Sequence, residues 1–256
     1  MNAARPLSLA LVGYGRMGRE IERVALSRGH RIVAVIHPGA PADGSRSITI
    51  DSLDGAEAAM EFTKPEASAG NIEALLRAGC RRLVVGTTGW KQKLPEVEKL
   101  VGDWQAGLVH ADNFSLGMAL FYRLVEKGAE LLVPSGYDPY VLEWHHAGKR
   151  DAPSGTARRL AGLIERAAPG RRPHEGDVSK GLPAGSFHVA SVRAGAIPGA
   201  HLVGFESEGE SLELWHRARS RAGFALGAVL AAEWLEGRKG VFTFDDVLSG
   251  AFGETG

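Results

Sequence analysis

One cysteine, Cys80, stands in 256 residues, so no intrachain disulfide can form and the fold must be held by packing. That fits a reducing compartment, and a cytoplasmic location is the expectation. No charge of one sign prevails: 30 Lys and Arg balance 30 Asp and Glu. The balance removes the electrostatic argument for nucleic acid or an anionic membrane surface as a partner. No apolar run approaches the ~20 residues of a membrane-spanning helix. The first apolar stretch, residues 7–12, is too short for the core of a secretory signal and leads straight into a glycine turn. Internal repeats and low-complexity tracts are missing. Glycine, by contrast, is abundant at 34 residues, and where those glycines fall is informative.

Residues 7–12 read as a short buried strand, Gly13-Tyr14-Gly15-Arg16-Met17-Gly18 follows, then a helical stretch over 19–28 and a second strand over 31–36. A G-x-G-x-x-G run between strand and helix is the dinucleotide fingerprint. Its first glycine allows the tight turn, its second admits a pyrophosphate to the backbone, and its third lets helix and strand pack closely. The second strand ends Val35-Ile36-His37-Pro38, without the acid that would hold the ribose of NAD. Arg16, with His37 or Arg46, could instead meet a 2′-phosphate, so NADPH and NADH both remain open. Residues 38–46 read as a surface loop, 59–62 as a strand, and 63–78 as a helix with Pro65 in its first turn. Strands over 82–86 and 107–110 then deliver Gly86, Thr87 and Thr88, and Ala111, Asp112, Asn113 and Phe114, to their carboxyl ends. Ligands of open α/β sheets bind there.

After a helix over 115–132 the pattern changes. Strands over 137–145, 187–194, 200–206 and 211–217 imply a second, mostly antiparallel sheet. The chain therefore reads as α/β, with a Rossmann dinucleotide-binding domain over 1–115 and an α+β domain over 116–227. Residues 228–256 form a tail placed to return to the first domain, and 169–183, rich in Pro, Gly and charge, read as a mobile loop.

The most chemically loaded stretch is Glu143-Trp-His-His-Ala-Gly-Lys-Arg-Asp-Ala-Pro-Ser-Gly-Thr156. It reads as strand, proton-active loop, helix N-terminus. Ser154 is a natural N-cap, which leaves the N–H groups of Gly155 and Thr156 among the donors of a first turn that attracts carboxylate or phosphate. His145, His146 and Lys149 would supply proton-donating or cationic groups beside it. Neighbouring histidines on a strand point to opposite faces, so His145 and His146 do not share a metal, and no metal site is assigned.

These segments together resemble the dihydrodipicolinate reductase family. The resemblance rests on Gly13 to Gly18, Phe62-Thr-Lys-Pro65, Gly86-Thr-Thr-Gly89, Asn113-Phe-Ser-Leu-Gly117 and His145-His-Ala-Gly-Lys-Arg-Asp-Ala-Pro-Ser-Gly-Thr-Ala157. It continues through Arg193-Ala-Gly195, Gly199-Ala-His201 and Arg221-Ala-Gly-Phe-Ala225, nearly the whole chain. It implies reduction of 4-hydroxy-tetrahydrodipicolinate by NADPH or NADH in diaminopimelate and lysine synthesis. His145 would act in proton transfer and Lys149 as proton donor. His146, Ser154, Gly155 and Thr156 would bind a small dicarboxylate. Gly13, Tyr14, Gly15, Arg16, Met17, Gly86, Thr87, Thr88, Ala111, Asp112, Asn113 and Phe114 would contact the cofactor. A homotetramer built through the second domain's sheet is the implied assembly. Two other readings stand beside this one: a different two-domain dehydrogenase, and a nonenzymatic nucleotide sensor. A serine hydrolase ranks well behind these, because Ser154 sits in Pro-Ser-Gly-Thr rather than in a nucleophile elbow.

Overall fold

The structure is a computed structural model that describes residues 5–37 and 47–252. The chain opens with β1 (Ser8–Val12), α1 (Arg16–Ser27), β2 (Arg31–Ile36), α2 (Ile50–Leu53), β3 (Ala58–Glu61), α3 (Pro65–Arg77), β4 (Arg82–Val85), α4 (Leu94–Asp103) and β5 (Gly107–His110). Next come α5 (Leu116–Leu132), β6 (Asp138–His145), α6 (Gly155–Ala167), β7 (Arg172–His174), β8 (Ser186–Arg193), β9 (Ala200–Glu206) and β10 (Ser211–Arg217). Last are α7 (Ala222–Trp234), β11 (Gly240–Thr243) and α8 (Phe244–Phe252). Two compact units result: 117–220 forms one, and the segments before and after it form the other.

The first unit is built on a six-stranded sheet in the order β11-β5-β4-β3-β1-β2, with every pairing parallel. Its strands are short apolar runs, as a sheet covered on both faces requires. Leu9, Leu11, Leu83, Val84 and Leu108 have no exposure at all. The chain passes from β1 to β2 on one side and then crosses to β3 on the other, which makes the carboxyl end of β1 the topological switch point. The tail adds a parallel strand, β11, beside β5, and the whole of α7 belongs to this unit rather than only its second half. A buried hydrogen-bond chain fastens α7 there. Leu7 N–H donates to His30 Nδ1 at 3.1 Å, so the ring proton sits on Nε2, which donates to Glu233 at 2.8 Å. Arg28 closes a two-pronged pair with the same carboxylate at 2.7 and 2.8 Å.

The second unit has five strands in the order β10-β9-β6-β8-β7. It is mixed, not mostly antiparallel: β9 runs antiparallel to β6 and β10, while β8 runs parallel to β6 and β7. The cause is α6, a crossover between β6 and β8 that returns the chain in the same direction. The stretch expected to be wholly loop, 169–183, contains β7, a three-residue edge strand whose Arg-Pro-His sequence carries no apolar alternation to betray it. One sheet face packs on α5 and α6, where Phe121, Val125, Leu160, Ile164, Val141, Val203 and Phe205 form the core. Each such side chain contributes about 1.5–3 kcal/mol by burial.

Candidate active site

The first unit presents a Gly-rich turn at its switch point. Gly13 has φ +94°, and a Cβ there would lie 2.3 Å from the Phe62 carbonyl oxygen. A Cβ on Gly18 would meet the Gly13 oxygen at the same distance, so both positions are closed to side chains by the protein itself. Gly15 differs: nothing lies within 4 Å of its Cβ direction. Helix α1 begins at Arg16, three residues before the expected start, and its first ladder bond runs from Arg19 N–H to Gly15 oxygen. The N–H groups of Arg16, Met17 and Gly18 therefore precede the ladder, with no capping side chain and no acid in the first turn. A cavity of about 650 Å³ adjoins this turn, lined by Gly13, Gly15, Ile36, His37, Phe62 and Lys64 among others. Open backbone at Gly15, uncapped donors and a cavity of that size fit a nicotinamide dinucleotide. Arg46 and the loop 38–46 lie outside the described residues.

Not every expected cofactor residue offers its side chain. The Thr87 hydroxyl accepts the Thr63 N–H at 2.8 Å and is buried. Phe114 packs between Phe62 and Phe244 at ring separations of 6.0 and 5.2 Å. Asn113 Oδ1 accepts the Ser115 N–H at 2.8 Å, which turns the chain into α5. Asp112 is exposed and ion-paired with Lys91, so its charge is offset locally. The Tyr14 hydroxyl donates to Glu22, and Arg19 lies over the Tyr14 ring at 4.9 Å. Gly86, Thr88 and Ala111 follow the carboxyl ends of β4 and β5, beside the same turn of the sheet.

The second unit gathers the proton-active residues at one end of its sheet. Strand β6 alternates strictly, burying Val141, Glu143 and His145 while Leu142 and Trp144 face the other way. Strand register sets Ser191 and His201 opposite Glu143, and Arg193 opposite His145. The Glu143 carboxylate has no exposure. Its Oε1 accepts from Ser154 N–H at 2.8 Å, Ser191 Oγ at 2.7 Å and Arg193 Nη2 at 2.8 Å. Its Oε2 stands 3.1 Å from His145 Nδ1 and 3.7 Å from His201 Nε2. Burial would raise this carboxyl, but the hydrogen bonds from Ser154, Arg193 and Ser191 outweigh it and hold the group at about 2. Burial lowers the His145 imidazole, with Glu143 pulling the other way. It takes His201 down to about 4, with His145 adding to the effect.

Donor atoms of Glu143, His145 and His201 all fall within 4.8 Å, a grouping with the ligand types of a metal site. The Arg193 guanidinium on the same carboxylate opposes a second cation, and the arrangement reads as a hydrogen-bonded network. These contacts were not read from the sequence, although Glu143 occupies an inward position of the same alternation that buries His145.

Beyond β6 the chain supplies a cation and a helix terminus. Lys149 pairs with Asp151 at 2.8 Å, a contact exposed enough for solvent to screen it and for another anion to displace Asp151. His146, the first residue after β6, is exposed. Ser154 caps α6, its hydroxyl accepting the Ala157 N–H at 3.2 Å while Arg158 N–H begins the ladder on the Ser154 carbonyl. Gly155 and Thr156 N–H groups precede that ladder. Ser154 itself is buried, so its contribution is to hold the terminus in place.

Profiles described as dihydrodipicolinate reductase, N-terminus and C-terminus, match residues 7–114 and 117–248. The chain belongs to the dihydrodipicolinate reductase family. A curated 4-hydroxy-tetrahydrodipicolinate reductase from Christiangramia forsetii is 35% identical over 96% of this chain and 99% of its own. Another from Chromobacterium violaceum is 36% identical over 94% of this chain and 98% of its own. A solved dihydrodipicolinate reductase from Paenisporosarcina sp. TG-14, with dipicolinate bound, superposes with a TM-score of 0.75. It is 23% identical and covers 93% of this chain and 97% of that one, which makes it evidence for the fold. Fold class and membership of an NAD(P)H-dependent oxidoreductase family thus agree with the expectation from sequence. Among the described residues no helix is long and apolar enough to cross a membrane.

Proposed function

We propose that this chain reduces 4-hydroxy-tetrahydrodipicolinate with NADPH or NADH, in the cytoplasm, as a step of diaminopimelate and lysine synthesis. The observation that carries the assignment is the single loop joining His145, Lys149 and the capped terminus of α6, a ready site for an acid that must be protonated. In this reading 117–220 is the substrate-binding and oligomerisation domain, and the rest of the chain holds the dinucleotide. Backbone N–H groups of Arg16 to Gly18 and the open face at Gly15 hold the pyrophosphate, and the segments after β4 and β5 face the nicotinamide. The substrate's ring hydroxyl leaves as water, and a bound dinucleotide would supply a hydride to the electron-poor ring carbon of the unsaturated ring that results. Gly155 and Thr156 N–H groups receive one substrate carboxylate, aided by the exposed His146. Lys149 donates its Nζ proton to the substrate atom on which negative charge develops, and His145 manages proton transfer beside it.

The outer face of the second sheet supports a homotetramer. It bears Leu142, Trp144, Ala190, Val192 and Trp215, with Trp144 and Trp215 stacked at 5.2 Å, and it lies on the side away from the core packed against α5 and α6. Light scattering on wild type and Trp215→Arg tests this, and a monomeric wild type rejects it.

The deciding assay follows nicotinamide absorbance while substrate is freshly condensed from pyruvate and aspartate semialdehyde, with NADPH and NADH in separate runs. Turnover with either establishes the reaction. A folded protein that binds the dinucleotide and turns over neither would leave the redox-sensor reading in its place.

A further inference from the structure

The Glu143 carboxylate touches both halves of the substrate site, and nothing in the reaction as written uses it. Its Oε1 takes the backbone N–H of Ser154, the residue that caps the anion-binding terminus of α6. Arg193, which also donates to the Asp151 carbonyl at 2.6 Å, and Ser191 fill the same oxygen. Its Oε2 receives no aligned hydrogen bond although it is fully buried, and His145 Nδ1 is the nearest ring nitrogen, 3.1 Å away. On the far side of the His145 ring a Cβ on residue 199 would lie 3.1 Å from Nε2, so Gly199 is what leaves that nitrogen uncrowded by a side chain.

Resting on the function proposed above, we propose that Glu143 is a positioning residue that fixes the tautomer of His145. Its Oε2 holds the ring proton on Nδ1 and leaves Nε2 as the proton acceptor, while its Oε1 locks the carboxylate-binding helix terminus. A buried, permanently ionised carboxylate is an acceptor only, so the adjacent ring nitrogen must carry the proton. Ionisation is secured by the Arg193 guanidinium and by the Ser191 and Ser154 donors, so Oε2 cannot itself donate to the ring. The remaining charged or titratable neighbours of His145 are His201 on β9 and Lys149 and Asp151 on the following loop. Of these, His201 is buried and pushed towards its neutral form, and Lys149 is already paired with Asp151. Glu143 is therefore the anion that sets the protonation pattern. Once His145 takes up a proton, the same oxygen stabilises the imidazolium, which favours proton transfer at Nε2.

The experiment uses the full chain and the substitutions Glu143→Gln and Glu143→Asp. Imidazole ¹⁵N shifts of selectively labelled wild type should report His145 as the Nδ1–H form near neutral pH. In Glu143→Gln the amide can present N–H to Nδ1, so the tautomer should invert and kcat should fall at least about tenfold. KM for substrate should change less, because the amide oxygen can still take the Ser154 N–H. Glu143→Asp, which keeps the charge, should retain the Nδ1–H form and recover part of the activity. The pH profile of kcat should lose the limb that reports His145 in the glutamine variant and keep it in the aspartate variant. An Nε2–H tautomer in wild type overturns the proposal without any variant. So does a glutamine variant that loses activity while tautomer and pH profile stay as in wild type, since that marks a purely structural role. If wild type fails to reduce the substrate, the proposed function fails instead, and the tautomer measurement still stands on its own.

Discussion

His201 should make the second unit acid-sensitive well above the pH at which its carboxylates protonate. It lies opposite Glu143 in β9, is only 4% exposed, and is held at about 4 by burial and by the neighbouring His145. In the unfolded chain the same imidazole titrates near its ordinary value of about 6.5. Between those two values the unfolded state binds a proton that the native state refuses, so stability falls as pH falls. A gap of about two and a half pH units at about 1.4 kcal/mol each gives ~3 kcal/mol across the window, of which ~2 kcal/mol is lost by about pH 5. Glu143 contributes with the same sign but lower down, its stabilisation being lost as pH falls from about 4.5 towards about 2. The two effects therefore separate at about pH 5. Urea unfolding followed by tryptophan fluorescence, at about pH 7 and about pH 5, should show wild type losing ~2 kcal/mol more than His201→Asn. Trp144 and Trp215 report from the same sheet. Equal losses in the two proteins would refute the assignment of a neutral, proton-refusing His201.

Three further outcomes follow from named contacts. Lys149→Ala should lower kcat by roughly 10²–10⁴ if its ammonium is the proton donor, and a loss under about tenfold in steady-state assay rejects that role. Gly15→Ala meets no protein atom within 4 Å, so its melting temperature should match wild type while calorimetry shows weaker NADPH binding; unchanged affinity would remove Gly15 from the pyrophosphate site. Glu233→Ala strands the His30 Nε2–H, whose ring is almost wholly enclosed, and one side of Arg28. Chemical denaturation should show a cost of about 3 kcal/mol, with Glu233→Gln losing less because the amide oxygen still accepts; equal costs would mean the hydrogen bonds contribute nothing beyond charge.

The dinucleotide half was legible in the sequence because its requirements are backbone requirements. Gly13 and Gly18 are excluded from bearing side chains by atoms a few residues away, and such constraints leave glycines at fixed spacing. The α6 terminus was legible for the same local reason, a cap and the turn behind it. Helix α4 and strand β7 went unread: the first follows a Trp-Lys-Gln-Lys segment with no capping side chain, and the second has three residues and a proline. Parallel pairing of β6 with β8 could not be read either, since strand direction is fixed by where α6 packs rather than by strand composition. The Glu143 network stayed hidden because its members come from three strands, with Arg193 fifty residues from Glu143.

Those three strands nevertheless carry a shared signature once their register is known. Along β6 the inward positions run Val141, Glu143, His145; along β8 they run Val189, Ser191, Arg193; along β9, read backwards, Val203 is followed by His201. Val141, Val189 and Val203 form one dry layer against α5 and α6. In the next layer every strand changes at once from apolar to ionisable or hydrogen-bonding. Exchanging that layer for well-packed aliphatic side chains of similar volume would, on general grounds, be neutral or stabilising by about 1–4 kcal/mol. Random drift in one strand would leave an unpaired buried charge, which costs more than either pure layer. A simultaneous change at one register in three distant segments therefore marks a layer kept for its chemistry, and it lies at the end of β6 from which the chain runs through Lys149 to the α6 terminus.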